Sequence, residues 1–512
     1  MNELILIKLA AFLLPFVFST WLFHTGRSRA GLCLLLLGAF LLRLFMISLD
    51  PFLHELDERY HALVARNMME DPFRPVLQLR PVLPYDYRSW CCNYTWLHKQ
   101  PLFLWNMSLS IWLFGANEIA LRLPSALMGT AMVYFVFSMA KMVFAEARIS
   151  VFAAVLFALC WYQLELTTGL LTADHNDVAF GFYVTASLWA LCCYHKRKSY
   201  GWALAIGLLA GCAILCKWLT GGIVYGAWVL LLVAGRAGER HRKGWWHLLT
   251  ALLLTTAVFL PWQLYIHYRF PLESSWEQNY NTRHVTEVLE GLPARSQLYY
   301  IGQLGRHYSW VLVPFLVAGL ADSFQQKGDR QLKLALGAVF LVCYLFFSLV
   351  PKTKMPSFTF LVAPVGFIAI GRGMAMLYDL AMRWWKGRPL SVYLLLLPMG
   401  LFSLSPLQLA RERAVEHPGR KARLHNTAVY KSLSDSLAKP DVIVINCKSF
   451  ENVDLMFYKG INAYHWYPSE KELEEVIGKG YKVYAFQSHG SQVLPDYVTA
   501  NPGVVIIRKQ LR

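Results

Sequence analysis

Apolar runs follow one another along the first four fifths of the chain, separated by short polar stretches, and the last fifth alternates in a different way. LILIKLAAFLLPFVFSTWLF, LCLLLLGAFLLRLFMISL, LLTALLLTTAVFLPW and LALGAVFLVCYLFFSLV are examples, and most such runs approach the roughly 20 residues that an α-helix needs to cross a bilayer. The pattern predicts about twelve crossings, at 4–23, 32–49, 122–144, 150–166, 178–194, 201–216, 220–235, 246–265, 309–323, 334–350, 357–378 and 390–407. The first run has neither a strongly basic leader nor a small-x-small cleavage site, so it reads as a spanning helix and not as a signal peptide.

Two connections are long. From 50 to 121 the polar and apolar positions are amphipathic: Tyr60, Leu63, Val64, Asn67 and Met68 keep helical spacing, and PLFLWNMSLSIWLFG is too short and too rich in Trp for a span. These stretches predict helices lying on the outer membrane surface. From 266 to 308 the chain is aromatic and polar (HYRFPLESSWEQNYNTRH). After 408 an Arg- and His-rich segment leads into KPDVIVINC, NVDLMFYKG, SEKELEEVIGKG, YKVYAFQS and GVVIIRKQ, where strand-like and helix-like runs alternate. The expected fold is an all-α polytopic membrane domain over 1–407, with outer surface helices, followed by a small α/β domain over 408–512.

Composition narrows the class. With 56% hydrophobic residues in 512, the chain is too apolar for a set of soluble domains. A formal charge of +17 would point to nucleic acid in a soluble protein. Here the Lys and Arg fall in short clusters between spans, among them Arg27 and Arg29, Lys196 to Lys198, and Lys327, Arg330 and Lys333. Retention of positive charge in the cytoplasm explains them, and no nucleic-acid partner is expected. With an even number of crossings both termini and both long connections lie outside. Seven of the ten cysteines fall in spans as apolar fillers, and no Cys/His spacing reads as a zinc site. The sequence leaves open a bridge from Cys447 to Cys91 or Cys92.

Charged residues at the ends of the apolar runs are costly and gather on the outer side. Asp57 and Glu58 follow the second span, Asp174 and Asp177 lie between the fourth and fifth, and Lys99, Arg122, Lys217, Lys352 and Lys354 mark five more outward ends. Taken singly, Asp57 and Asp174 read first as helix N-caps and the lysines as snorkelling side chains. Independent caps have no reason to share one face, so their convergence is what points to a site. A carboxylate there can act as general base toward an acceptor, cations can hold a phosphate as it leaves, and a second acid can orient the acceptor or bind a divalent ion. The set suits displacement at a sugar carbon from a lipid-linked phosphate.

At these residues the sequence resembles the bacterial GT-C glycosyltransferases of the protein-mannosyltransferase and aminoarabinose-transferase group, which take a sugar from a polyprenyl phosphate. LDERYHALVARNMMED is similar to the family's acidic-pair loop, HKQPLFLWNMSLSIWLFGANEIALRLPSAL to its Lys-Pro stretch and surface helix, and TADHNDVAFGFYVTASLWAL to its second acidic loop. LCKWLTGGIVYGAWVLL, PWQLYIHYRF and SLVPKTKMPSFTFLVAPVGFIAIG follow in the family's order, covering about 40 to 375. The chain departs from the pattern at Gln100, which interrupts the Lys-Pro pair, at His98, where some relatives carry an acid, and at Trp218, which replaces a glycine.

The resemblance implies a GT-C membrane glycosyltransferase that moves one sugar, with inversion, from a polyprenyl-phosphate donor to a lipid A, polysaccharide or protein acceptor. It further implies residence in the bacterial inner membrane with the active site facing the periplasm. Asp57 is the expected base, with Asp177 and Asp174 in support. Glu58, Lys99, Arg122, Lys217, Lys352 and Lys354 are the expected phosphate or substrate contacts, and His98 is the candidate ligand for a divalent ion. The competing classes are a transporter or flippase of lipid-linked sugars and a non-catalytic envelope scaffold. A transporter would place its charges near the midplane of two matching halves, whereas this chain gathers them at one boundary.

Overall fold

The structure, a computed structural model, describes residues 2–89, 93–171, 174–217, 219–235, 239–289, 291–322, 328–384, 390–414, 417–448, 450–487 and 493–512. Helices occur at all twelve expected crossings. They are α1 (Asn2–His24) and α2 (Ser28–Ile47), then, in the first long connection, α3 (Asp57–Asn67) and α4 (Pro101–Phe114), followed by α5 (Glu118–Phe144), α6 (Ala147–Ala158), α7 (Trp161–Thr168), α8 (His175–Arg197), α9 (Tyr200–Ile214), α10 (Ile223–Val233) and α11 (Glu239–Arg269). Contrary to the expected surface helix, α3 is covered, with nine of its eleven residues buried. The second long connection forms α12 (Pro271–Thr286) and α13 (Tyr299–Tyr308), and α14 (Val313–Ala321), α15 (Arg330–Leu349), α16 (Ala363–Trp384) and α17 (Leu390–Leu404) complete the apolar part.

The lengths differ from expectation. Among the described residues seven helices are long and apolar enough to cross a membrane alone, and eight if α6 and α7, bent by 43° at their junction, count as one. The helices α9, α10, α14 and α17 are shorter, because hydropathy registers an apolar run whether or not one straight helix carries all of it. Close packing offsets the lost length. At Gly207 and Gly211 of α9 a Cβ would come within 2.6 Å of the Ala251 carbonyl and of Val258 on α11, so the two backbones meet where only glycine fits.

The tail follows the expected alternation. After α18 (Pro406–Glu412) and α19 (Pro418–Lys431) come β1 (Val442–Ile445), α20 (Asn452–Lys459), β2 (Asn462–Ala463), α21 (Glu470–Gly478), β3 (Lys482–Phe486), α22 (Asp496–Thr499) and β4 (Val504–Ile507). The four strands form one parallel sheet in the order β2-β1-β3-β4. The Ser469–Glu472 capping box starts α21. Ile443 and Ile445 face one core, while Val442 and Val444 face the helices below, which is why β1 is apolar on both faces.

The tail is tied to the end of the helical part that carries α3. Arg66 of α3 donates to the carbonyls of Met456 and Phe457 at the end of α20, and Arg59 pairs with Asp454 at 3.4 Å. Glu118, at the start of α5, accepts from Lys431 at 2.7 Å and from the Tyr458 hydroxyl at 2.8 Å. Arg413 makes a twofold pair with Glu165 of α7, both contacts at 2.9 Å, and also reaches Asp50. Arg420 meets the same Asp50 carboxylate.

One buried pair fixes where α3 begins. The Arg122 guanidinium donates to Glu58 at 2.7 and 2.9 Å, and to the carbonyls of Ile47, Asp50 and Phe52 at 3.1, 2.6 and 2.7 Å. Glu58 also accepts the His54 backbone N–H at 2.6 Å and faces His175 at 3.1 Å. Gly169, at φ +79°, lies so near that a Cβ would stand 2.3 Å from the Glu58 carboxylate. Burial opposes the Glu58 charge, and Arg122 outweighs it, holding the carboxyl well below the usual carboxylate range. Arg122→Met is expected to strand a buried charge and to cost about 3–5 kcal/mol. Adding Glu58→Gln should recover part of the loss in thermal unfolding of the detergent-solubilised protein, and no recovery would show that the cost lies elsewhere.

Candidate active site

Asp57 is the first residue of α3, and it is not the N-cap. That position belongs to Leu56, which stands at φ +64° with no side-chain hydrogen bond to the helix. The Asp57 carboxylate faces Lys99 instead, at 3.3 Å. Lys99 is returned to this point by the strap between α3 and α4, which Trp96 anchors through its backbone N–H to the Pro75 carbonyl at 2.9 Å. Gln100 caps the path, and Pro101 starts α4 in the first-turn position that its missing N–H suits.

Asp174 and Asp177 sit at the start of α8. Asp174 is the N-cap, accepting from Asn176 N–H at 3.4 Å, and its carboxylate also meets His61 Nδ1 at 3.0 Å. His61 lies one helical turn beyond Asp57, edge-on to Trp96 and Phe103, and its Nε2 is buried without a hydrogen-bond partner among the described residues. Asp177 pairs with Lys217 at 2.6 Å, and the Lys217 ammonium also stands over the Phe358 ring. The structure therefore brings Asp57, Asp174, Asp177, Lys99 and Lys217 together from α3, α4's leading strap, α8 and the end of α9.

Accessibility separates them. Side-chain exposure is 30% at Asp57, 19% at Lys99, 10% at Asp177 and 12% at Lys217, against 0% at Asp174, Glu58 and Arg122. A substrate can reach the first four. Burial disfavours the Asp57 charge, but Lys99 and the neighbouring His61 and His98 outweigh it and hold the carboxyl below its ordinary value. Burial likewise works against Lys99, and the charges of Asp57, Asp177 and Asp174 override it and raise its pKa. The three carboxylates thus act on one ammonium.

Several expected contacts are placed differently. Glu58 and Arg122, expected to touch substrate, are sealed in the clamp beneath α3, where every charged atom has an internal partner. Lys354, expected as a phosphate contact, donates to the carbonyls of Phe347, Ser348 and Pro351 at 3.4, 2.9 and 2.8 Å, closing the C-terminal end of α15. Lys352 is exposed and its backbone N–H donates to the Val285 carbonyl at 3.1 Å, joining it to the end of α12.

The residues around His98 do not fit a metal ion. His98 Nδ1 faces Glu277 of α12 at 3.2 Å, Lys99 is its chain neighbour, and no three His, Cys, Asp or Glu side chains converge among the described residues. Burial, with the Lys99 charge second, lowers the His98 pKa. Trp218, Cys91 and Cys92 lie outside the described residues, and Cys447 is buried in the tail.

His61, Glu277 and His284 are the residues that sequence reasoning passed over. His61 carried one legible signal, its i+4 spacing from Asp57 in an amphipathic helix. Nothing in the sequence ties Glu277 or His284 to this site; the long connection after α11 folds back across it, so that Glu277 faces His98, and burial, then the charges of His98, Lys99 and Lys217, push the His284 pKa down to about 4.

Comparison with known proteins finds resemblances in sequence and in fold. Residues 98–265 match the family described as dolichyl-phosphate-mannose-protein mannosyltransferase. The chain is 28% identical over 275 residues to undecaprenyl phosphate-alpha-4-amino-4-deoxy-L-arabinose arabinosyl transferase 1 of Pseudomonas fluorescens, covering 50% of this chain and 45% of that protein. It is 24% identical over 277 residues to the putative mannosyltransferase YycA of Bacillus subtilis, covering 54% of this chain and 37% of that one. The chain thus spans about half, or less, of the length of the curated relatives it matches. The crystal structure of ArnT from Cupriavidus metallidurans bound to undecaprenyl phosphate superposes with a TM-score of 0.61 at 16% identity, covering 94% of this chain and 90% of that one, which establishes a common fold. In sequence, this multi-pass membrane protein is similar to protein mannosyltransferases and aminoarabinose transferases, and in fold it is similar to ArnT.

Proposed function

We propose that the chain transfers a single sugar from a polyprenyl-phosphate donor to an envelope acceptor (lipid A, a polysaccharide or a protein), at a site facing the periplasm of a bacterial inner membrane. The observation that carries this reading is the accessible Asp57–Lys99 pair, with Asp177–Lys217 beside it, at the outer ends of apolar helices. The similarity to aminoarabinose transferases and mannosyltransferases supports the same class of donor.

In this mechanism the acceptor hydroxyl gives its proton to Asp57 as its oxygen bonds to the anomeric carbon. The bond from that carbon to the phosphate oxygen breaks, its electron pair leaves with the phosphate, and the configuration inverts because the displacement is single. Lys99 and Lys352 hold the departing phosphate. Asp177 keeps Lys217 oriented, and Asp174 holds His61 against the turn that carries Asp57. Because Lys99 pairs with Asp57 before donor arrives, a phosphate that takes Lys99 also releases the carboxylate, so donor binding makes Asp57 a stronger base. No metal step is required of these residues.

Asp57→Asn is expected to lower kcat by roughly 10²- to 10⁴-fold in proteoliposomes supplied with labelled polyprenyl-phosphate sugar. Transfer at the wild-type rate would remove Asp57 as the base, and movement of intact donor without transfer would favour a flippase.

The pH profile gives an independent check. Asp57 works as a base only above its pKa, and Lys99 holds that pKa down. Lys99→Met therefore moves the acid limb of kcat/KM to higher pH, and an unmoved limb contradicts the pairing.

The two late lysines separate by readout. Lys352→Ala should raise the donor KM and leave thermal stability unchanged. Lys354→Ala should cost about 0.5 kcal/mol of stability through loss of its helix-end contacts, with little change in donor KM.

A further inference from the structure

A second cavity, of about 390 Å³, lies between the last turn of α3, the strap at 77–80 and the tail at 438–440 and 456–462. Its size is within the range of small-molecule sites. Asp57 stands at the other end of α3, nine residues from Arg66 and so roughly 14 Å away along the helix axis. The cavity is part of neither the Asp57 centre nor the clamp beneath it.

The walls have a specific character. Arg66, Arg80, Lys439 and Lys459 line the cavity against a single acid, Glu70. Arg66 is held by the carbonyls of Met456 and Phe457, and Lys459 pairs with Asp435 at 2.7 Å. Arg80 and Lys439 are exposed, and among the described residues no carboxylate pairs with either. Two cations without a carboxylate partner among the described residues, one from the strap and one from the tail, attract an anion.

A buried amide adds a second signal. Gln78 is 5% exposed and lines the cavity; its Nε2 donates to the Ala463 carbonyl at 3.2 Å, and its buried Oε1 has no hydrogen-bond partner among the described residues. Leaving such an acceptor unmade costs on the order of 1–3 kcal/mol, and because the oxygen is sealed, a ligand hydroxyl satisfies it only after the amide turns toward the cavity. Asn67 and Asn462 are committed through their NH₂ groups, to the carbonyls of Val76 and Leu77 and to that of Arg80, which fixes the strap and leaves their oxygens as further acceptors. Amide groups for hydroxyls and cations for a negative group, set beside apolar side chains such as Leu63, Leu77, Leu79 and Met456 that suit the C–H faces of a ring, together describe an anionic sugar.

We infer that this cavity binds an anionic saccharide and that it docks the acceptor glycan one helix length from Asp57. The inference rests on the transfer reading above for its purpose, and on the cavity alone for its ligand. Binding energy at this distance would orient the acceptor's reactive end at Asp57. Since α3 and the tail each supply one wall, the tail completes the acceptor site.

The test titrates the full chain in nanodiscs with trigalacturonate, mannose 6-phosphate and maltotriose by calorimetry, and in a separate arm with phosphatidylglycerol vesicles. At least one of the two anionic sugars should bind ten-fold or more tightly than maltotriose, and the better of the two identifies carboxylate or phosphate as the recognised group. Arg80→Glu with Lys439→Glu, both on exposed side chains, should weaken that binding ten-fold or more with unchanged thermal unfolding. Asp57→Asn should bind as wild type, so a failed transfer reaction with intact binding counts against the transferase reading only. Equal affinity for maltotriose, no effect of the double charge reversal, or dependence on these two residues only for phosphatidylglycerol vesicles would each overturn the inference.

Discussion

A charge taken out of water at a membrane boundary must have a partner, and the Glu58–Arg122 pair is where this chain meets that requirement most completely. Arg122 spends its remaining donors on three carbonyls of the turn between α2 and α3, so the pair does more than neutralise itself. It sets the residue at which α3 begins and therefore the direction in which Asp57, the next carboxylate along, can point. Gly169 closes the clamp from the α7 side, leaving no room for a side chain.

Two adjacent acids consequently have opposite fates. Glu58 faces inward and is wholly enclosed, whereas Asp57 faces Lys99 and both keep exposed surface. The same division recurs at the start of α8, where Asp174 is sealed against His61 and Asp177 keeps a partly open pair with Lys217. In each pair one carboxylate builds the site and its neighbour is presented by it. Lys99, under the field of Asp57, Asp177 and Asp174, is the group on which the presented charges act together.

Much of this was legible in the sequence, for reasons that differ by residue. The long apolar runs and the strand–helix alternation of the tail are periodic signals, and the helices and parallel sheet appear where those periods lie. The gathering of charges on one side was legible because membrane topology is written in the positions of Lys and Arg. Roles were not. Glu58 and Asp57 are adjacent and both acidic, and only the clamp distinguishes them. Taken singly Asp57 read as a cap, and only its convergence with other charges made it the expected base, whereas Leu56 occupies the cap position at positive φ; Lys354 read as a phosphate contact, yet it closes a helix end. His61, Glu277 and His284 join the site through folding between segments distant in sequence, which no local pattern encodes.

The central claim is that Lys99 receives the donor phosphate and in doing so frees Asp57. A cryo-electron microscopy structure of the chain with polyprenyl phosphate tests it most directly. The account predicts the phosphate within hydrogen-bond reach of Lys99 Nζ, with the 3.3 Å Asp57–Lys99 contact opened. A phosphate bound elsewhere, with that contact intact, would contradict it.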